Sequence, residues 1–422
     1  MSLSSVFDLG ALLVTLAALA GWINHRWLRL PHTIGLVLIA LAVSFAALLI
    51  DAVVPELGLE RTVRDTLTRI DFHETLMTGM LGFLLFAGAL HVDLGHLISR
   101  RWAIGTLATA GILLSTGLVA TATYVLAGLV GLEIPLSYCL VFGALISPTD
   151  PIAVLSILKQ TRVPASLEAK IAGESLFNDG VGVVLFTILV AVATGGGEHG
   201  NDLTAGGIAQ LFLIEAVGGA VLGLLAGYVA YRAMQAIDEH NLEVLISLSL
   251  VMGTYALARE LHCSGPIAMV VAGLFIGNHG TRFAMSASTR DHVEKFWSLL
   301  DEILNSLLFL AIGFEVFALV LTPAMFWIAG AAIPVVLAAR FVSVSLPIRM
   351  LGLWHDFTPG AIPVLTWGGL RGGISVALAL SLPASPVRDQ ILAATYGVVV
   401  FSIVVQGLTI ERVVRARVNP WH

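Results

Sequence analysis

Apolar runs of about twenty residues, separated by short polar links, recur along nearly the whole chain. A run of that length suits a helix crossing a bilayer, whose hydrocarbon core is roughly 30 Å thick. The apolar residues are continuous and do not alternate every second position, which predicts helices and not strands. In lipid each backbone polar group needs an internal partner, so helices or closed barrels are the only spanning forms. Thirteen segments emerge, at 6–24, 31–52, 73–91, 103–131, 136–158, 169–193, 207–233, 241–260, 265–279, 295–317, 324–349, 359–382 and 389–410. The ninth is the shortest and begins on Gly265-Pro266. The expected fold class is therefore an all-α polytopic membrane protein.

Two of these segments carry helix breakers. Segment five contains Ser147-Pro148-Thr149-Asp150-Pro151; each proline removes an amide donor and clashes with the preceding turn. Segment twelve contains Trp367-Gly368-Gly369-Leu370-Arg371-Gly372-Gly373, where each glycine disfavours helix by roughly 1 kcal/mol relative to alanine. If segment seven is a connector, segments 1–6 and 8–13 form two halves, and each break lies in the fifth segment of its half. The halves start on opposite sides of the membrane, so the predicted repeat is inverted. Paired interrupted helices at matching positions point to a transport site.

Segment six carries the polar cluster Gly173-Glu174-Ser175-Leu176-Phe177-Asn178-Asp179. A charge at the bilayer centre costs roughly 2.5–3.5 kcal/mol or more, so such residues face a cavity or one another. Ser175 and Asp179 are four apart, as are Glu174 and Asn178, so the four share one side of a helix. Deprotonated, Asp179 offers hard oxygens suited to an alkali cation; protonated, it does not. Ser175, Thr149 and Asp150 complete an oxygen cage with it. Glu174 is expected to pair with Arg340 or Arg371, the two arginines inside spans.

Other polar residues are assigned smaller parts. Asp8, Asp51, Glu215 and Glu315 are expected at solvated span ends. His91 and Asp93 close segment three near the cytoplasmic surface. Asp301, Glu302 and Asn305 form a stripe that lines a cavity or pairs with Arg340. Trp102, Trp297 and Trp354 flank spans as interfacial anchors do.

Composition agrees with a membrane chain: of 422 residues 57% are hydrophobic and 12% charged. Fifteen of the 22 lysines and arginines fall in the loops after odd-numbered segments or beside them, against five on the other side. That bias predicts the N-terminus outside and the C-terminus in the cytoplasm. Cys139 and Cys263 read as small apolar residues with no disulfide or metal role. The first segment reads as an uncleaved span. No link is long enough for a folded extramembrane domain, and 52–72 and 280–294 read as polar connectors. Gly195-Gly196-Gly197 and the residues up to Asp202 read as an outer loop, and no cytoplasmic regulatory tail is expected after Ile410.

In order and spacing the three motifs resemble those of bacterial and archaeal sodium/proton antiporters, specifically the monovalent cation–proton antiporter-1 branch with an Asn-Asp pair. The resemblance implies thirteen helices and a homodimer in a bacterial inner (plasma) membrane. It implies dimerisation-domain helices at 1–102 and 236–322, transport-core helices at 103–195 and 323–422, and a linker helix at 196–235. Asp179 would be the shared cation and proton site, with Ser175, Asp150 and the Thr149 carbonyl as cation contacts. Asn178 would steady the broken helices, with Arg371 in support, and Glu174 would pair with Arg340. Exchange would be electroneutral, one monovalent cation for one proton, in service of pH homeostasis. Neither cofactor, nucleic acid nor enzymatic activity is implied. One departure stands out: Ala87, in Phe86-Ala87-Gly88, replaces a glutamate that many relatives carry, leaving Na+, Li+ and K+ undistinguished. Two alternatives are a K+/proton exchanger of the same fold and an intramembrane hydrolase using Ser175, whose setting is one residue short of a Gly-x-Ser-x-Gly nucleophile pattern.

Overall fold

The computed structural model describes residues 3–55, 58, 79–151, 154–155, 165–195, 205–318, 323–353, 357 and 359–417. The glycine-rich loop from Gly196 to Asp202, the link 59–72, Arg162 and Trp354 lie outside the described residues.

Helices α1 (Leu3–Ile23), α2 (His32–Val53), α3 (Leu81–Leu90), α4 (Arg101–Leu129), α5 (Leu136–Ile146) and α6 (Ala165–Thr194) form the first half. After α7 (Gln210–Gln235) come α8 (His240–Glu260), α9 (Gly265–Phe275), α10 (Ala287–Phe314) and α11 (Pro323–Leu351). Segment twelve is split into α12 (Ala361–Trp367) and α13 (Gly373–Leu380), and α14 (Pro386–Arg417) closes the bundle. Among the described residues seven helices are long and apolar enough to cross a membrane: α2, α4, α6, α7, α8, α11 and α14. The architecture is an all-helical membrane bundle, and its one extended pairing among the described residues is an isolated bridge, Asp150 with Leu370.

Lipid is as apolar as leucine, so helices associate in a membrane through close packing and polar contacts more than through the hydrophobic effect. Small residues make that approach. A side chain at Gly143 of α5 would overlap the Thr116 backbone of α4, and at Gly219 or Gly223 of α7 the Ser264 or Ala268 carbonyl. Helix α9, the shortest segment expected, is among the most enclosed: Ala268, Met269 and Ala272 are fully buried. Ser264 caps it by accepting the Ile267 amide at 3.3 Å, and Pro266 occupies the first turn, where its missing amide costs nothing. Above the breaks, Phe142, Leu145, Ile146, Leu308, Ile312, Val376 and Val399 form one apolar core from α5, α10, α13 and α14.

Three expectations need correction. The link 280–294 is helical from Ala287 onward, because Ser286 caps the turn and the pairs Arg290–Glu294 (2.7 Å) and Asp291–Lys295 (2.6 Å) bridge successive turns. That early start puts Trp297 three turns inside α10; it is fully buried, packs at a tilt against the Phe86 ring and donates to Ser247 Oγ at 2.9 Å, so it is no interfacial anchor. Glu315 is 7% exposed, because the tight turn Glu315–Ala318 tucks it inward beside Val316 and Phe317. Among the other three carboxylates, Asp8 is exposed, while Asp51 and Glu215 are half-buried.

Candidate functional site

The first break begins where α5 ends. The chain leaves the helix at Ser147, and Pro151, four residues on, has no amide to give the Ser147 carbonyl, so the break frees main-chain carbonyls at the end of α5. Arg371 takes both with one guanidinium nitrogen, Nη1, which donates to the Pro148 oxygen at 2.8 Å and to the Ser147 oxygen. A cation at a helix C-terminus also offsets its partial negative charge. The Ser147 hydroxyl turns back to Gly143 O (2.7 Å) and to Ser115 Oγ (2.9 Å), tying the helix end to α4.

Thr149 is then held by α6 through all three of its polar groups. Its amide donates to Asn178 Oδ1 at 3.2 Å, its hydroxyl accepts from Asn178 Nδ2 at 2.8 Å, and its carbonyl accepts the Ser175 hydroxyl. The spacing of Ser175 and Asn178, three residues apart on α6, lets one helix face clamp one residue of the unwound chain. The next residue, Asp150, donates its amide to Leu370 O at 2.8 Å. The two breaks therefore cross in direct backbone contact.

The second break is shaped by close approach. A side chain at Gly369 would overlap the Arg340 guanidinium, and at Gly372 it would lie 3.0 Å from the Asp150 carboxylate carbon. Glycine is needed at both positions for lack of space, beyond any helix-breaking effect. Arg340 forms a two-pronged ion pair with Glu174, Nη2 to Oε2 at 3.1 Å and Nη1 to Oε1. It also donates to the Leu365 carbonyl at 3.1 and 3.3 Å, which caps α12 as Arg371 caps α5. Two residues that sequence reading passed over complete the support. Within the π-turn Ser402–Gln406 of α14, Ser402 Oγ accepts the Arg371 amide (2.8 Å) and Gln406 donates to the Trp367 carbonyl (2.9 Å). Their signal was a polar pair four apart in an otherwise apolar span.

Asp179 is 7% exposed and lines a cavity of about 550 Å³ together with Thr149, Asp150 and Ser175. The other walls come from α3 along its length to His91 and Val92, the first half of α6 from Glu168, the middle of α10 from Ser298 to Leu308, and the start of α13. The cavity thus reaches toward the face that holds the basic odd-numbered loops. Ala87, Asp301, Glu302 and Asn305 line it, as does His91, which bridges Ala87 O (2.7 Å) and Ser298 Oγ (3.0 Å) and also borders a second cavity nearer the surface with Asp93. The α10 stripe faces the cavity, and Arg340 is taken by Glu174. The structure brings Asp179, Ser175, Asn178, Thr149 and Asp150 together, with Glu174, Arg340 and Arg371 behind them. Ser175 gives its proton to a carbonyl and not to a base, which is no arrangement for a nucleophile. Cys139 and Cys263 are free thiols.

A family model described as "Sodium/hydrogen exchanger, transmembrane" matches residues 14–416. The chain is 48% identical over 421 residues to the Na(+)/H(+) antiporter NhaP of Pseudomonas aeruginosa, covering 97% of this chain and 96% of that one. It is 36% identical over 392 residues to the Na(+)/H(+) antiporter NhaH of Halobacillus dabanensis, with 92% and 93% covered. The fold is similar to that of the sodium proton antiporter MjNhaP1 from Methanocaldococcus jannaschii, with a TM-score of 0.76 at 19% identity over 97% of both chains. By the span of the family match and the identity of these relatives, the chain belongs to the sodium/hydrogen exchanger family.

Proposed function

We propose that this protein is a secondary transporter exchanging Na+ for protons, with Asp179 as the group that proton and cation occupy in turn. The observation that carries the reading is the position of Asp179: one carboxylate, on an intact helix, at the wall of a cavity and beside two crossed, unwound segments. Oxygen-rich surroundings suit a hard monovalent cation. The Ser175 hydroxyl and Thr149 carbonyl now satisfy each other. A cation entering beside ionised Asp179 turns the hydroxyl aside and takes both oxygens, with the Asp150 carboxylate completing the set. A proton on Asp179 removes the charge that holds the ion, and the hydroxyl returns to the carbonyl.

Asn178 is neutral and committed to Thr149, so beside the crossed breaks α6 offers one exchangeable carboxylate and the exchange is electroneutral, one for one. Glu174 is held by Arg340 and takes no part in the cycle. Alternating access then moves the core, 103–195 with 323–422, against 1–102 and 236–322, with 196–235 as the link. The Glu174–Arg340 pair supports this division, since it ties α6 to α11 across the two halves of the core. The protein works as a homodimer in the plasma membrane, N-terminus outside and C-terminus inside. The names of the relatives favour Na+ over the K+ alternative.

The test is a pH-gradient assay in proteoliposomes with Na+, Li+ and K+ side by side. Na+ dissipates the gradient at a rate unaffected by clamping the voltage, and Asp179→Asn abolishes it. Normal exchange in that variant removes Asp179 from its role.

A further inference from the structure

Asn305 is 2% exposed, and among the described residues neither its amide nitrogen nor its amide oxygen has a hydrogen-bond partner. Unpaired buried amides are rare in native proteins and call for an occupant. Asn305 also lines the cavity that holds Asp179. On α10 it lies one turn beyond Asp301 and one turn before Leu308, and all three line that cavity. Leu308 lies so close to Gly373 that a side chain there would overlap it, so α10 closes against the second break immediately past Asn305. Asn305 is thus the last polar side chain on this wall before the crossing. The α3 wall beside it, with Leu84, Ala87 and Gly88, offers no side-chain oxygen, and among the described residues no lysine or arginine lines the cavity.

Resting on the exchange reading above, we infer that Asn305 is a second contact for the monovalent cation, used only while Asp179 faces the cytoplasmic cavity. Its amide oxygen accepts the partly hydrated cation, and its amide nitrogen donates to a water of that shell or to a carboxylate left by the ion. The contact is one-sided because α10 lies outside the moving core: when α6 carries Asp179 to the other face, Asn305 stays behind. An amide suits this post, since it binds a cation without the charge that would hold it back from Asp179. The residue therefore sets the Na+ dependence of entry from the cytoplasm and leaves the outer face untouched.

The test uses the full-length protein in vesicles of defined sidedness, everted and right-side-out, with Na+ varied on the accessible face. Asn305→Ala raises the Na+ concentration for half-maximal exchange at the cytoplasmic face about five-fold, the size of one modest polar contact. At the outer face that concentration and the maximal rate stay within about two-fold. Asn305→Asp, which keeps an oxygen at the same reach, restores the cytoplasmic-side value, and its added charge lowers the maximal rate by holding the cation back from Asp179. An equal rise on both faces, or no change on either with ordered water as the sole occupant, overturns the inference. A loss of thermal stability that tracks the shift, unrelieved in Asn305→Asp, also overturns it. Failure here is separable from failure of the exchange reading: Asp179→Asn tests the latter and needs no sidedness.

Discussion

At the first break the freed carbonyls of Ser147 and Pro148 meet Arg371, and at the second the Leu365 carbonyl meets Arg340. Both half-helices end on a guanidinium, so the two breaks share one solution for unpaired backbone at membrane depth. Their contents differ. The first carries hydroxyl and carboxylate side chains: Thr149, clamped from α6, and Asp150, both at the wall of a cavity. The second carries glycine, and its bare backbone lets Asp150 and Arg340 approach. Proline makes a break whose side chains remain available as ligands; glycine makes one that leaves room for someone else's. The arginines differ too: Arg340 is matched by Glu174, whereas Arg371 serves main-chain carbonyls, with Nη2 left unpartnered among the described residues.

Several substitutions break or sharpen this contrast. The largest expected effect is on the ligand side: Asp179→Asn lowers Na+-driven proton flux at least about a hundredfold, equivalent to roughly 2.7 kcal/mol or more, with little change in melting temperature. On the scaffold side, Glu174→Ala or Arg340→Ala leaves one buried charge alone and costs about 3–5 kcal/mol of stability. Thermal unfolding in detergent reads that loss, and Glu174→Leu combined with Arg340→Leu recovers most of it. Asn178→Ala strips Thr149 of two partners, an expected cost of about 1–3 kcal/mol, with a raised half-maximal Na+ concentration as the clamp loosens. Gly372→Ala pushes on the Asp150 carboxylate and cuts exchange about tenfold, near 1.4 kcal/mol, while stability changes less than in Glu174→Ala. Ser402→Ala is the mildest: one acceptor for the Arg371 amide is lost, worth about 1 kcal/mol, and exchange slows less than in Gly372→Ala.

The spans, both breaks and the α6 cluster were legible because lipid punishes charge and unpaired backbone so strongly that exceptions announce themselves. Hydropathy reports that a residue avoids water, yet it cannot say what the residue touches. Hence Trp297 read as an anchor although it is enclosed, and Glu315 read as solvated although a turn buries it. The start of α10 was missed because its first two turns are polar and held by ion pairs four residues apart, which apolar periodicity does not register. The partner of Glu174 was undecided between Arg340 and Arg371 from the residues alone, since side-chain pairing depends on which helices are neighbours. Ser402 and Gln406 escaped notice because two polar residues in an apolar span read as weak until the backbone they support is visible.

The most direct measurement counts protons against sodium ions on the purified protein. Na+ is titrated calorimetrically in two buffers of different ionisation enthalpy, for the wild type and for Asp179→Asn. The account predicts about one proton released for each Na+ bound by the wild type, in the pH range where transport runs, and none from the variant. Sodium binding to the wild type with no proton released, or release that survives in Asp179→Asn, would contradict it.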